Sequence, residues 1–340
     1  MVIPPLDGLQ LIEGSAFVAA PSGGMTLAQL GADVIRFDQI GGGLDHKRWP
    51  LTDAGESIYW AGLNKGKRSI QVDLRSPAAR ELLTELIARA GNFLTNFPPR
   101  GWMAPDILRE HRTDLVMLSV MGNRDGSTAL DYTVNCALGY PAATGPVGDD
   151  TPVNHVLPAW DLVCGQTAAL GILAADRHRF RTGEGATMSL ALSDVALAAV
   201  AALGHIGEAQ VNGTQRERFG NDLYGAYGRD LVTADGERVY AVGISPKQWS
   251  SLLEASDAVE AVDDIAAAGG YDFRDEGDRF RARDEIGAVI APWIAARPLA
   301  EVAARFDELG VCWGRYQTFL ELVAEDPRVR PEAGLFREVE

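Results

Sequence analysis

The 340-residue chain has few cysteines and no long apolar run. Its three cysteines, Cys136, Cys164 and Cys312, are far apart and form no CxxC pair, so we expect free thiols rather than a disulfide framework. No stretch reaches the roughly 18 apolar residues that a membrane-spanning helix needs. The N-terminal sequence MVIPPLDGLQLIEG lacks a basic segment followed by an apolar one. We therefore expect no secretory signal and predict a cytoplasmic location.

Several nucleotide-binding and catalytic motifs are also missing. The segment Pro21–Asp38, PSGGMTLAQLGADVIRFD, has adjacent glycines and no GxGxxG, so a turn that closes a strand–helix unit is favoured over an NAD site. The sequence contains no GxxxxGK[ST], HExxH or GxSxG motif. The histidines show no metal-ligand spacing, so we predict no metal site; they are His46, His111, His155, His178 and His205.

Positive charge is scarce, since 31 Lys and Arg residues face 47 Asp and Glu residues and the net charge is −16. This charge repels nucleic acids and anionic membranes, so neither is an expected partner. A local basic cluster is correspondingly informative. The segment LNKGKRS brings Lys65, Lys67 and Arg68 together before a predicted strand. From charge alone, a phosphate-binding loop and a solvated basic turn are equally good interpretations.

Hydrophobic patterning predicts alternating strands and helices over most of the first 203 residues. Apolar strands joined by helices indicate an α/β fold with a parallel, doubly wound sheet. The predicted strands are Leu9–Glu13, Asp33–Asp38, Ser69–Leu74, Phe93–Phe97, Leu115–Met121 and Ala186–Leu190. The predicted helices are Met25–Leu30, Pro77–Ala90, Pro105–His111, Gly165–Arg179 and Asp194–Leu203.

A second region begins near Gly220 and is predicted to form a smaller α+β domain. Its first part indicates a hairpin with the turn at Ala234–Gly236. Helices are predicted at Lys247–Ala255, Arg279–Ala296 and Leu299–Leu309.

Asp161 is the one acid in VLPAWDLVCGQTAALGI, Val156–Ile172. An acid in the first turn of a helix is stabilised by the helix dipole, and Pro158 supports a helix start nearby. The same position suits a nucleophile, because a helix N-terminus favours the ionised carboxylate and offers N–H donors to an oxyanion. Spacing alone leaves both interpretations open.

Ordered segments carry a resemblance over nearly the whole chain. They are AAPSGGMTLAQLGADVIRFD, GLNKGKRSIQVDL, NFPPRGW, DYTVNCALGYPAATG, the long segment from PAWDLVCGQTAALGI to SLALSDVAL, and GNDLYGAYGRD. In this order they resemble the class III CoA-transferases, the CaiB/BaiF family. The resemblance implies a large Rossmann-like CoA-binding and catalytic domain at 1–219, a small α/β domain at 220–330 and an interlocked homodimer. Family members continue beyond LFREVE, so 331–340 is expected to begin a return segment that is truncated here.

The resemblance also assigns roles to individual residues. It implies that Asp161 is the nucleophile, and that CoA is bound as part of the substrate with no permanently bound cofactor. The implied CoA contacts lie after the first two strands, in the basic segment and in two later loops. They are Phe17, Val18, Ala19, Gln39, Leu63, Asn64, Lys65, Gly66, Lys67, Arg68, Asn96, Phe97, Pro98, Asp131 and Tyr132. The position of the family's usual CoA-contacting glutamine, near Val18, is not polar in this chain.

The activity implied by the resemblance is an intramolecular CoA transfer. EGSAFVAAPSGGMTLAQLGADVIRFD, IGGGLDHKRWP, WAGLNKGKRSI and NHVLPAWD are most similar to members that move CoA from the C1 to the C4 carboxyl of mesaconate (2-methylfumarate). Arg48, His46 and His155 are candidates for holding the second carboxylate. Alternatives are transfer to a separate acid such as succinate, a non-catalytic CoA-binding protein, and an acyl-CoA racemase. Racemases place a histidine where this chain has Leu130, which argues against racemisation unless His155 takes that role.

Overall fold

The computed structural model describes residues 3–333, which divide into two compact units. The first unit comprises residues up to 143 together with 152–216, and the second comprises 144–151 together with residues from 217 onward. The assignment of a catalytic domain to 1–219 and a small domain to 220–330 stays a prediction. The expected return segment at 331–340 lies outside the described residues apart from a short 3-10 turn at Pro331–Ala333.

The first unit contains a parallel sheet, as the sequence pattern predicted. Its strands pair in the order β3-β2-β1-β4-β5-β6. Strands β2 and β3 are added on one side of β1 and strands β4 to β6 on the other, so the strand order reverses between β1 and β4. In doubly wound sheets this switch point opens a crevice at the carboxyl ends of the strands. The strands are β1 Gln10–Gly14, β2 Asp33–Gln39, β3 Arg68–Val72, β4 Asn92–Thr95, β5 Val116–Met121 and β6 Ala186–Ala191.

Helices cover both faces of this sheet. Alternate strand residues serve the two sides: Leu11 packs in the core on the α1 and α7 side, while Ile12 packs in the core on the α3 and α4 side. The helices of this unit are α1 Ala19–Gln29, α2 Ile58–Leu63, α3 Pro77–Ala90, α4 Pro105–His111, α5 Asp131–Cys136, α6 Tyr140–Ala143, α7 Ala159–Thr182, α8 Leu192–Ala202 and α9 His205–Asn212.

The predicted start of α1 was wrong. The helix begins at Ala19 rather than Met25, so Gly23 and Gly24 lie inside it and do not form a turn. Both glycines are there because other atoms come very close. A Cβ on Gly24 would lie 1.7 Å from Glu13 Oε2, and one on Gly23 would lie 2.9 Å from the carbonyl oxygen of Gly165 on α7. The two glycines suggested a turn in the sequence, but they are needed for close packing of the helix.

The second unit packs helices on a three-stranded antiparallel sheet, and it contains the predicted hairpin. Its strands are β7 Tyr227–Val232, β8 Arg238–Gly243 and β9 Cys312–Arg315, in the order β7-β8-β9. Its helices are α10 Pro246–Ala255, α11 Val259–Gly269, α12 Glu276–Arg281, α13 Arg283–Ala295, α14 Leu299–Leu309 and α15 Phe319–Glu325. The single helix predicted at Arg279–Ala296 is wrong, because the chain leaves the helical path at the buried Ala282.

In the described part of the chain, no single helix combines the length and hydropathy of a membrane span. Two bent helix pairs reach them together: α8 with α9, bent by 63°, and α13 with α14, bent by 118°.

Candidate active site

A cavity of about 330 Å³ lies at the carboxyl ends of β1, β4 and β5, at the switch point of the sheet. Its walls are largely apolar. Asp161 is the only charged side chain among the lining residues within 3–333. The lining consists of Ala16, Phe17, Val18, Ala19, Leu44, Asn96, Phe97, Pro98, Val120, Met121, Gly122, Ala129, Leu130, Asp161 and Leu192.

Asp161 lies in the first turn of α7, which begins directly after Pro158. The N–H donors of this helix start are all engaged. The N–H groups of Trp160 and Asp161 both donate to Asp131 Oδ2, at 2.7 and 3.0 Å. The Ala159 N–H donates to the Leu157 carbonyl at 2.7 Å, and the next N–H bonds to Pro158. The expectation that this helix start offers free N–H donors to an oxyanion is therefore wrong.

The ionisation of Asp161 is set by opposing influences. The pKa of Asp161 is raised to about 6, mainly by burial and also by the Asp131 carboxylate, while Arg48 opposes both. Burial and Asp131 thus move the pKa upward, opposite to the direction that the dipole of α7 favours. At pH 7 a carboxyl group with a pKa near 6 is still roughly 90% ionised. Asp161 is therefore available as a nucleophile and is more basic than an ordinary aspartate.

Six of the CoA contacts implied by the resemblance meet Asp161 in this cavity. Phe17, Val18 and Ala19 come from the turn after β1, and Asn96, Phe97 and Pro98 follow β4. Asn96 also ties the two turns together: its Oδ1 accepts from the Ala16 N–H at 2.9 Å, and its Nδ2 donates to the Ala16 carbonyl at 2.7 Å. Parallel strands bring these distant segments to one edge, as expected for this topology.

Phe17 adopts a backbone conformation that is uncommon outside glycine, with φ at 68°. Its N–H donates to Asp45 Oδ2 at 2.8 Å, and Asp45 is in turn held by Arg36 at 2.9 Å. Asp45 is 1% exposed and Arg36 is fully buried. Residues in such conformations persist where surrounding structure fixes them, and they cluster at functional sites.

A buried polar network behind the cavity was missed from the sequence. Arg36 donates to Asp38, Asp45 and Asn64, at 2.9, 2.9 and 3.0 Å. Lys67 Nζ continues the network through Glu13 Oε1 at 2.7 Å and Asn64 Oδ1 at 2.9 Å. Nothing in the strand DVIRFD distinguished a fully buried arginine from one at a strand end.

The basic cluster therefore divides in the structure. Lys67 is buried in its ion pair with Glu13, and burial lowers its pKa. This contact gives Lys67 a structural role and leaves its ammonium poorly placed for a CoA phosphate. Lys65 is exposed, and Arg68 is largely exposed in a 2.5 Å ion pair with Asp33. Lys65 and Arg68 remain the stronger phosphate candidates.

The remaining implied CoA contacts do not line the cavity. Gln39 is exposed at the end of β2, and Leu63 and Gly66 flank the basic segment. Tyr132 is 40% exposed, whereas Asp131 is 2% exposed and directed to the start of α7. CoA is much longer than this cavity, so contacts outside it are compatible with binding; the buried Asp131 carboxylate is not suited to one.

Three residues are candidates for binding the second carboxylate of the substrate, and the contacts of Arg48 suit this role best. Its guanidinium lies over the rings of Phe17 and Tyr59, at 5.6 and 5.2 Å from their centroids. Burial raises the pKa of Tyr59 to about 12, with Asp161 among the nearby charges. His155 is engaged with Asp131, and His46 packs edge-on against Trp60.

No group of three His, Cys, Asp or Glu side chains within residues 3–333 is arranged to hold a metal ion.

The sheet topology and the ordered segments agree with comparisons of sequence and structure. The model of CoA-transferase family III matches residues 6–340. The chain belongs to this family. It is 55% identical to 2-methylfumaryl-CoA isomerase of Chloroflexus aurantiacus, over 98% of this chain and 83% of that protein. It is 30% identical to succinyl-CoA:mesaconate CoA-transferase of Haloarcula hispanica, over 85% of this chain and 75% of that protein.

Two solved structures share the fold of this chain. A CaiB/BaiF family protein from Brucella suis superposes with a TM-score of 0.77 at 24% identity, covering 95% of this chain and 86% of that one. A protein from Mycobacterium tuberculosis superposes with a TM-score of 0.78 at 24% identity, covering 98% and 89%. The family resemblance drawn from the ordered segments is confirmed.

The arrangement of side chains at the cavity does not support the racemase alternative. Leu130 lines the cavity beside Asp161, so the position that carries a histidine in racemases is apolar here. The nitrogen Nε2 of His155 lies 2.5 Å from Asp131 Oδ1, so this ring is already engaged away from the cavity lining. Racemisation needs a second acid–base group facing the α-carbon, and His155 is not placed for it.

Proposed function

We propose that this chain converts 2-methylfumaryl-CoA (mesaconyl-C1-CoA) to 3-methylfumaryl-CoA (mesaconyl-C4-CoA) by intramolecular CoA transfer, with Asp161 as the nucleophile. One observation carries the proposal. In a chain 55% identical to a 2-methylfumaryl-CoA isomerase, the only carboxylate lining the described cavity meets the segments after β1 and β4 that the family resemblance assigns to CoA.

The first half of the reaction releases mesaconate from CoA. The Asp161 carboxylate attacks the C1 thioester carbonyl, the C–S bond breaks, and a mixed anhydride and the CoA thiolate form. The thiolate then attacks the aspartyl carbonyl of the anhydride. This step gives an aspartyl-CoA thioester and leaves C1 of mesaconate as a free carboxylate.

The second half repeats these steps at the other end of the same mesaconate. The C4 carboxylate attacks the aspartyl-CoA thioester and expels the thiolate, and the thiolate then attacks the C4 carbonyl. Mesaconyl-C4-CoA leaves, and the Asp161 carboxylate is regenerated. The cycle consumes no other reactant, so CoA is part of the substrate and no permanently bound cofactor is proposed.

Two features of the cavity support the chemistry. The start of α1 presents Val18 and Ala19 to the cavity, and this helix has neither a side-chain cap nor an acid in its first turn. We assign the negative charge that develops on the thioester oxygen to this helix start, which is uncapped, rather than to that of α7. The apolar walls, including Leu130 and Leu192, limit water that would hydrolyse the anhydride.

Retention of free mesaconate between the two halves needs a group that holds its carboxylates. We assign this role to Arg48, which the rings of Phe17 and Tyr59 flank and whose charge reaches Asp161. A guanidinium held by aromatic rings is pre-organised to bind a carboxylate in the bidentate manner.

The decisive experiment follows the fate of free mesaconate. Mesaconyl-C1-CoA is incubated with the protein and excess ¹³C-labelled mesaconate. The CoA thioesters are separated by chromatography, and their ¹³C content is measured by mass spectrometry. We expect mesaconyl-C4-CoA without added acceptor and without label. Label in the product at the proportion of free mesaconate contradicts the intramolecular route.

Removal of the nucleophile tests the assignment of Asp161. Asp161→Ala is expected to lower the rate by at least about 10³-fold, because no other group forms the covalent intermediate. Borohydride or hydroxylamine added during turnover is expected to modify Asp161 in the wild-type protein, as found by peptide mass spectrometry. A variant that turns over at the wild-type rate removes Asp161 from the mechanism.

Arg48→Gln separates retention from chemistry. Without the guanidinium, mesaconate is expected to escape before the second half of the reaction, so labelled mesaconate enters the product several-fold more than in the wild-type protein. Arg48→Lys keeps the charge and is the matched control, with an intermediate effect. Unchanged label incorporation in Arg48→Gln would assign retention to another group.

Transfer to a separate acid is the second candidate. The relative of Haloarcula hispanica, at 30% identity, is a succinyl-CoA:mesaconate CoA-transferase, and this name favours the alternative. Addition of succinate to mesaconyl-C1-CoA distinguishes the two. Formation of succinyl-CoA at a rate above that of mesaconyl-C4-CoA would make the intermolecular reaction the principal activity.

A further inference from the structure

The carboxylate of Asp131 makes contacts that the reaction steps above do not use. Although its neighbour Leu130 lines the cavity, Asp131 itself is 2% exposed. Its Oδ2 accepts the N–H groups of Trp160 and Asp161, at 2.7 and 3.0 Å. These are the donors that a side chain at the N-cap normally satisfies, but here the N-cap is Pro158, which offers no acceptor side chain. Asp131 on α5 therefore caps α7 across about thirty residues of sequence.

His155 completes the coordination of this carboxylate. Its Nε2 lies 2.5 Å from Asp131 Oδ1. An ionised carboxylate only accepts hydrogen bonds, so the ring nitrogen is the donor. Three donors thus converge on one buried carboxylate.

A second contact fixes the same turn. Trp160 Nε1 donates to Asn135 Oδ1 at 3.0 Å, and Asn135 lies one turn after Asp131 on α5. Asn135 Nδ2 in turn donates to Asn154 Oδ1 at 2.6 Å. The first turn of α7 is therefore held to α5 by both its backbone and its tryptophan side chain, which fixes the position from which Asp161 enters the cavity.

We propose that Asp131, supported by His155, is a positioning residue that seats the first turn of α7 and keeps a fixed negative charge beside Asp161. The assignment replaces the CoA-contacting role expected for Asp131, and it rests on the proposed nucleophilic role of Asp161. The charge matters because a carboxylate that is harder to ionise is a stronger nucleophile once ionised.

A test of this proposal must separate the effect of Asp131 on the pKa of Asp161 from the effects of burial and of the other nearby groups. Burial raises the pKa of Asp161 most, Asp131 adds to it, and Arg48 lowers it. Tyr59 and Cys164 also lie within the field of Asp161, and burial raises the pKa of each to about 12. Both are neutral at pH 5–8, so Asp131 and Arg48 are the charges that bias Asp161 there.

Asp131→Asn separates charge from capping. The amide oxygen still accepts from the N–H groups of α7, while the negative charge is lost. The titration of Asp161 is followed by NMR in protein labelled at aspartate ¹³Cγ, with the Asp161 signal identified by its disappearance in Asp161→Asn. We expect the midpoint of Asp161 to fall by about one pH unit, the size of a single nearby-charge effect and less than the share due to burial. The exposed Asp150→Asn is the matched control and leaves the midpoint unchanged.

The kinetic readout is the acid limb of kcat/KM. In Asp131→Asn this limb is expected to move to lower pH with the NMR midpoint, while the plateau rate falls by ~2–3-fold because the nucleophile is less basic. An unmoved midpoint in the folded variant overturns the proposal.

Loss of folding in Asp131→Asn and also in Asp131→Ser would show a purely structural role and overturn the proposal as well. The NMR titration needs no substrate. Failure of the proposed isomerase activity would therefore appear in the wild-type assay, separately from failure of this inference.

Discussion

At the scale of single residues, Asp161 combines a structural position with a chemical one. It occupies the first turn of α7, where an acid is ordinary, yet its carboxylate faces an apolar cavity and its pKa is raised to about 6. The first-turn position is confirmed, and the nucleophilic role of Asp161 stays a proposal. The capping role belongs to Asp131, which leaves the Asp161 carboxylate available for reaction.

The raised pKa of Asp161 predicts an acid limb in the activity. The nucleophile must be ionised, so activity is full above the folded pKa and is lost as pH falls through about 6. A plot of log kcat/KM against pH is expected to decline with a slope of one below that value. A profile that stays flat down to pH 4.5 contradicts an Asp161 nucleophile in this environment.

The same shift predicts a pH-dependent cost in stability. The folded pKa of Asp161 lies above the ordinary value of 3.8, so the folded protein binds the proton more tightly and loses stability as pH rises through this window. Asp161→Asn removes the buried charge. Its Tm is expected to exceed that of the wild-type protein at pH 7.5, and the difference is expected to vanish below pH 4. Equal Tm values at pH 7.5 would show that Asp161 carries no such cost.

The grouping of residues at the cavity was predictable where a short segment carries the signal. Asp161, Phe17 and Asn96 follow from ordered family segments, and the cavity brings them together. The cap from Asp131 was not predictable, because it joins residues about thirty positions apart. Nor was the burial of Lys67: in the sequence it is one of three neighbouring cations, and only the fold places Glu13 against it.

At the scale of elements, the close crossing of α1 and α7 positions the site. Gly165 on α7 lies against the start of α1, where a Cβ would be 2.6 Å from the Ala19 carbonyl oxygen and 1.9 Å from Ser22 Oγ. Val18 and Ala19, at that start, line the cavity that receives Asp161 from α7. The distance between these two helices therefore sets the geometry of the cavity.

Gly165→Ala tests this crossing. The added methyl group meets backbone atoms and must push α1 away, so we expect a loss of about 1–3 kcal/mol in the free energy of unfolding, with a fall in kcat/KM. Gly207→Ala is the matched control, because a Cβ on this helical glycine of α9 meets no atom within 4 Å. It is expected to be neutral or to stabilise by up to about 1 kcal/mol. Equal effects of the two changes would contradict the role of the crossing.

Elements were predictable from the sequence where periodicity was long and uniform. The bounds of α3 and α4 match their predictions, and both have proline in the first turn. α1 was predicted too short, since its glycines serve packing and hide its periodicity. The six-residue helices α2 and α5 are too short to display a helical period, although α5 holds the residue that caps α7.

At the scale of the whole molecule, a net charge of −16 opposes an anionic substrate, so a few local cations must capture CoA. The structure gives the neighbours Lys65 and Lys67 different surroundings, since Lys65 is exposed and Lys67 is buried against Glu13. Lys65→Met is expected to raise KM for the CoA thioester about 5-fold with unchanged stability. Lys67→Met leaves Glu13 buried without its partner, and is expected to cost about 3–5 kcal/mol of folding free energy. Steady-state kinetics and urea unfolding check both variants. A higher KM only in Lys67→Met, with a loss of stability only in Lys65→Met, would reverse the two assignments.

The family resemblance implies a homodimer, and we propose that an exposed apolar face of α15 forms part of its interface. Phe319, Leu320 and Val323 on α15 are 87%, 85% and 71% exposed, and their spacing places them on one side of the helix. Clustered apolar surface of this kind is typical of an interface. Light scattering is expected to give twice the 36.5 kDa chain mass, and Leu320→Glu is expected to shift the protein toward the monomer.

Leu82→Glu is the control for the α15 test, because Leu82 is an exposed leucine on α3, 46% exposed. It is expected to leave the mass unchanged, since a single exposed leucine needs no partner. A wild-type mass of one chain contradicts the homodimer. A dimer that survives Leu320→Glu unchanged places the interface elsewhere, because a buried unpaired glutamate on α15 would otherwise weaken the association by several kcal/mol.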